Sequence, residues 1–94
     1  MKRHTNKCLA MFSGAEFWQT VGSEMGRGHR KFGKFNSAHE LASVLREEYE
    51  EFWDSVKADD PDPVELIHVA AVALRGALEL CSQARLEMEQ RGGQ

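Results

Sequence analysis

Two short patterns place ligand-type side chains three residues apart. Glu47, Glu48 and Glu51 read E-E-x-x-E, and Glu65 and His68 read E-x-x-H. On a helix, residues at that separation have Cβ atoms about 5–6 Å apart on one face, so both can reach one ion. Carboxylate oxygens suit hard divalent cations such as Mg2+, and an imidazole nitrogen extends the set to manganese, iron and zinc. If the two segments are helices packed antiparallel across the short Asp59–Asp62 turn, Glu48 and Glu51 lie near Glu65 and His68. Three oxygens and one nitrogen then converge on a metal site.

Glu48 carries most of this expectation. In the stretch His39–Lys57, Leu41, Val44, Leu45, Phe52 and Val56 fall on one stripe at roughly 100° per residue. Glu48 sits inside that stripe, Glu51 on its edge and Glu47 further out. A carboxylate turned into a helix–helix interface is costly unless a cation or donor meets it. Each other residue also has a plainer reading. Glu65 occupies a capping-box position, His68 suits a surface or hydrogen-bonded histidine, and Glu47 and Glu50 suit solvent-facing helix positions. Arg75 and Glu79 have the spacing of an i,i+4 ion pair, although Arg75 could instead hold a phosphate bidentately.

The elements that must position these groups are helical. Ser37-Ala-His-Glu40 is a capping box that starts the central helix, which makes Glu40 a cap and not a site residue. That helix runs to about Ala58 and stops at Asp59-Asp60-Pro61. Asp62-Pro63-Val64-Glu65 opens a third helix with Asp at the N-cap and Pro at the first helical position. It extends to about Arg91 before Gly92-Gly93, roughly 42 Å at 1.5 Å per residue. Its apolar arc is wide (Leu66, Ile67, Val69, Leu74, Leu78, Leu80, Cys81), with small residues such as Ala71 and Gly76 and a narrow polar seam of Glu65, His68, Arg75, Glu79 and Ser82.

Upstream, Ser13-Gly-Ala-Glu16 predicts a shorter helix over 13–25, with Phe17, Trp18, Val21 and Met25 as its buried face and Gly26 and Gly28 as its end. Residues 1–12 are expected to fray. Residues 26–36 then form a basic loop with Arg27, His29, Arg30, Lys31 and Lys34. This is either a solvated connector or an arm that lays cations over an anionic ligand, anchored by Phe32 and Phe35. The expected fold is all-α and a single domain over residues 1–94. Two long antiparallel helices and a shorter N-terminal one build a four-helix-type core by dimerisation.

Composition narrows the class. Ninety-four residues, 41% apolar and 29% charged, with a formal charge of −3, describe a small acidic globular chain and give no support to a nucleic-acid binder. No stretch reads as a membrane span or a signal peptide. Cys8 and Cys81 lie far apart without CxxC spacing, and a reducing cytoplasm is the simplest setting.

The segment KFNSAHELASVLREEYEEFWDSVK, followed by ELIHVAAVALRGALEL, resembles the MazG-like all-α nucleoside triphosphate pyrophosphohydrolases, in particular the short phage-type and mobile-element members. The resemblance spans about Phe35–Leu80. It implies that an E-x-x-E on one helix and an E-x-x-D on the next hold Mg2+ (or Mn2+), which binds a nucleoside triphosphate. Hydrolysis between the α and β phosphates releases a monophosphate and pyrophosphate, a nucleotide-housecleaning reaction. It further implies a homodimer or dimer of dimers. Carried over by position, Glu48 and Glu51 match the first pair and Glu65 the first member of the second, while His68 stands where aspartate is usual. Glu47 or Glu48 would orient the attacking water. Lys57, Arg75, Arg30, Lys31 and Lys34 would meet the β and γ phosphates, and Trp18 or Trp53 could stack on a base, although core packing suits both tryptophans better.

Two other functions fit the same residues. A homodimer would duplicate Glu65-x-x-His68 and the central-helix glutamates, the ligand count of a di-iron or di-manganese bundle. A helical interaction module without activity would retain the motif only in part.

Overall fold

The computed structural model describes residues 13–92, in which every regular element is an α-helix. Helix α1 spans Gly14–Phe32, α2 spans Ala38–Lys57 and α3 spans Pro63–Gly92. The fraying expected of residues 1–12 lies outside the described residues.

The helix starts follow their caps. Ser13 Oγ accepts the Glu16 N–H at 3.1 Å, and Ser37 Oγ accepts the Glu40 N–H at 3.1 Å. The Glu40 carboxylate accepts from the Asn36 backbone N–H at 2.8 Å and from its side-chain amide at 3.1 Å, so it is a cap as expected. At α3, Asp62 Oδ1 accepts the Val64 N–H at 2.9 Å, with Pro63 at the first helical position.

The turn between α2 and α3 is tightly specified. The Asp62 N–H donates to Ser55 Oγ at 3.0 Å, and the Ser55 hydroxyl donates to the Phe52 carbonyl at 2.6 Å. Asp59 adopts a left-handed φ of 57° to reverse the chain, a conformation that aspartate tolerates better than most residues. Gly76 on α3 faces Leu41 on α2, while Glu65 on α3 lies beside Glu51 on α2. These pairings run in opposite senses, so the two helices are antiparallel. Helix α1 packs on another side of α3. Its Glu24 meets His68 and its Gly28 meets Arg75, so α1 runs parallel to α3.

The first helix departs from the sequence expectation. Residues 26–32 belong to α1, and the basic loop shrinks to the link Gly33–Ser37. Glycine costs only about 1 kcal/mol inside a helix, and two local effects offset that cost. Arg27 pairs with Glu24 three residues earlier at 2.7 Å. His29, Arg30 and Lys31 complement the negative end of the helix dipole. The helix ends instead at Gly33, whose φ of 70° suits only glycine and whose N–H returns to the His29 carbonyl.

The core is thin. Among the described residues the buried apolar side chains are Val21, Ile67, Ala71 and Val72, and α2 has none. Leu41, Val44, Leu45 and Phe52 are half-buried and Val56 is exposed, so the predicted stripe of α2 is only partly covered. Phe17, Trp18 and Trp53 are exposed, against the expectation that they pack inside. On α3 the polar seam turns inward from Glu65 to Glu79, with Arg75 only 7% exposed, while Ser82 is exposed and Leu66, Leu74, Leu78 and Leu80 face outward. The radius of gyration is 16.3 Å, against about 12 Å for a compact chain of this length.

Glycine substitutions separate helix propensity from packing. A Cβ at Gly22 meets nothing within 4 Å, whereas one at Gly76 would lie 2.5 Å from both Leu41 methyls. Gly22→Ala is expected to stabilise by about 0.5–1 kcal/mol. Gly76→Ala, with the same helix-forming gain, should fall below Gly22→Ala in a thermal melt because Leu41 must move. Equal gains from the two would contradict the α2–α3 packing.

Candidate metal centre

The capping turn brings the end of α2 against the start of α3, which is where the sequence patterns lie. One donor atom each from Glu48, Glu51, Glu65 and His68 falls within 4.8 Å of the others. His68 Nδ1 is 3.5 Å from Glu65 Oε2 and 3.9 Å from Glu48 Oε2. Donors around a cation held at about 2.1 Å are themselves about 3–4 Å apart, so the four would have to draw together by up to about an ångström to share one ion. The Asp62 N–H is satisfied by Ser55, which leaves the Glu65 carboxylate available to the cluster.

The donor set fits a divalent cation. Glu48 Oε2 and Glu65 Oε2 are buried oxygens with no hydrogen-bond partner, a costly state for a carboxylate. Burial, followed by the Glu51 charge, pushes the Glu48 carboxyl above its ordinary value. Glu65 is raised by burial and then by its contact with Glu51. A cation among them would relieve both causes.

A further carboxylate arrives from α1. Glu24 Oε2 is 3.6 Å from His68 Nε2, on the side of the ring away from Glu65. It accepts from Arg27 Nε at 3.2 Å and Nη2 at 2.7 Å, and this hydrogen bonding holds Glu24 below the ordinary carboxylate range. Arg27 belongs to the basic stretch marked in the sequence, whereas Glu24 was singled out by no motif. The available signal was Glu24's place three residues after the buried Val21, on the same face of α1.

Beside the carboxylates lies a cavity of about 350 Å³, walled by α1, α2 and α3 and the Gly33–Asn36 link. Glu47 lines it on the α2 side, with Arg75, Lys34 and Arg27 as its cations. Arg75 is stacked at 4.4 Å over the Phe35 ring, and its Nε is buried without a partner. Phe35 therefore anchors the link as expected, whereas Phe32 is 70% exposed. Glu79 accepts the Phe35 N–H at 2.9 Å, so it holds the link in place and does not pair with Arg75.

The remaining predicted cations lie elsewhere. Lys57 pairs with Asp54 at 3.2 Å on the open surface, and Lys31 sits over the exposed Phe32 ring. Arg30 and Lys31 project from the last turns of α1 and do not line this cavity, because the helix continues where a mobile arm was expected. Trp18 and Trp53 do not line it either. Among the described residues no helix is long and apolar enough to cross a membrane. Comparison with family models, curated proteins and solved structures finds no match to this chain.

The raised carboxyl of Glu48 has a pH signature. From the ordinary value of 4.5 upward, the unfolded chain releases its proton before the folded protein does. The contribution of this group is therefore fully present below 4.5 and is lost as pH rises through the folded value. In chelator-treated protein, Glu48→Gln should melt above wild type at pH 7, and the difference should close towards pH 4. A pH 7 melting temperature equal to or below wild type would remove the desolvation argument.

Proposed function

We propose that this chain is a divalent-metal-dependent nucleoside triphosphate pyrophosphohydrolase of the MazG-like kind, converting a nucleoside triphosphate and water to a monophosphate and pyrophosphate. The observation that supports this best is the convergence of Glu48, Glu51, Glu65 and His68 beside a cavity that carries Arg75 and Lys34. Anion-binding groups next to a cation site suit a polyphosphate, whose oxygens need both.

Glu48, Glu51, Glu65 and His68 would hold the ion, Mg2+ or Mn2+. When bound, that ion supplies charge neutralisation and Lewis-acid polarisation of phosphate oxygens. Glu47 lines the cavity beside Glu48 and is placed to orient a water and accept its proton. The water oxygen bonds to phosphorus as the α–β bridge opens and pyrophosphate leaves. Arg75, which lines the cavity over Phe35, would donate to phosphate oxygens through its guanidinium. Lys34 adds a second cation from the link.

The outward leucines of α3 support the further proposal that two copies, or a dimer of dimers, cover this face in solution. Sedimentation of the purified chain as a monomer at micromolar concentration would contradict it.

The imidazole among the donors also favours a second reading, a carboxylate–histidine di-metal protein. Purified protein with bound iron and a visible absorption band would support it. Colourless protein dependent on Mg2+ or Mn2+ supports the hydrolase.

The test is a panel of ribo- and deoxynucleoside triphosphates with either metal, read by pyrophosphate release. At least one nucleotide should turn over, and Glu48→Ala and Glu51→Ala should each lower kcat by at least about 100-fold. No turnover of any nucleotide with either metal would overturn the proposal and leave the di-metal protein or a helical interaction module.

A further inference from the structure

An imidazole has one lone pair to offer a cation, so its use as a ligand depends on which nitrogen carries the proton. An aspartate at position 68 would not face this constraint, since either oxygen can ligate. In this chain the two ring nitrogens face different groups. Nδ1 faces Glu65 and Glu48 at 3.5 and 3.9 Å, and Nε2 faces Glu24 at 3.6 Å. We infer that Glu24 is a positioning residue for His68, holding the proton on Nε2 so that the Nδ1 lone pair is presented to the Glu48–Glu51–Glu65 cluster. The inference rests on the metal centre proposed above.

Three observations on α1 support it. Glu24 lies between two packing points on the same helix, Val21 at 2% exposure and Gly28 against the Arg75 guanidinium, so its height along α3 is set by the fold. Arg27 donates twice to Glu24 Oε2, the oxygen that faces the ring, which holds this carboxylate aimed at Nε2. Glu24 also lies outside the group whose donors converge, and it meets the ring from the opposite side. That is the arrangement by which carboxylates fix the tautomer and orientation of a ligating histidine, and loss of such a partner typically costs about 10–100-fold in metal affinity.

The probe is Mn2+ alone, titrated into chelator-stripped full-length protein and followed by the electron paramagnetic resonance of the free ion. Circular dichroism confirms that each variant keeps its helicity. Glu24→Gln should weaken Mn2+ binding by about 10–100-fold. In the His68→Asp background the same substitution should have no further effect, because no ring remains to be oriented. Bound Mn2+ should show a nitrogen hyperfine coupling in wild type that disappears in His68→Asp. Wild-type binding with an unaffected Glu24→Gln, or an equal loss in both backgrounds, would overturn this inference and leave the metal centre standing. Absence of Mn2+ binding to wild type would overturn both.

Discussion

Mutual repulsion among Glu48, Glu51 and Glu65 is the constraint around which the rest of the chain is arranged. Three carboxylates held within a few ångströms at a helix crossing are unfavourable without a cation, and the raised protonation of Glu48 and Glu65 reflects burial first and the neighbouring Glu51 second. The surrounding structure holds them there nevertheless. The Asp59–Asp62 turn fixes the antiparallel register, and Ser55 takes the Asp62 N–H so that Glu65 can face the cluster. His68 stands among the carboxylates with Glu24 behind it. A cation at this crossing, as proposed above, would offset the concentration of like charge that the capping hydrogen bonds hold in place.

The same logic extends along α3. Its inward face carries Glu65, His68, Arg75 and Glu79 in place of an unbroken apolar stripe, and each meets a group from another segment. Arg75 lies over the Phe35 ring, a contact of about 0.5–2 kcal/mol, and Gly28 leaves room for its guanidinium. Glu79 holds the link that carries Phe35 and Lys34. Polar groups thus occupy volume that leucines would otherwise fill, and the apolar core is correspondingly thin. Stability contributed by burial is modest in such a chain, which is the physical reason a second copy over the outward leucines is attractive.

Much of the site was legible because it depends on local rules. Capping boxes at Ser37 and Ser13, and Asp-Pro at the start of α3, marked helix starts from side-chain hydrogen bonds a few residues apart. A short turn between two amphipathic helices requires antiparallel packing, so E-E-x-x-E and E-x-x-H had to approach one another. Gly26 and Gly28 misled because glycine ends a helix only where no tertiary contact outweighs its backbone entropy. Lys57, Arg30 and Lys31 were grouped with the site by charge alone, and charge says nothing about which face a side chain occupies. Glu24 was missed because it belongs to no pattern within its own helix and meets His68 only where α1 packs on α3.

What the residues alone determined was the helical class, the helix starts and the four donors, since spacing on a helix and capping are properties of neighbours in the chain. Tertiary packing decided which face of α3 turns inward, which cations reach the cavity and which carboxylate stands behind His68. Those outcomes depend on how α1 and α2 share the surface of α3, and that division is settled by side chains far apart in sequence competing for the same volume.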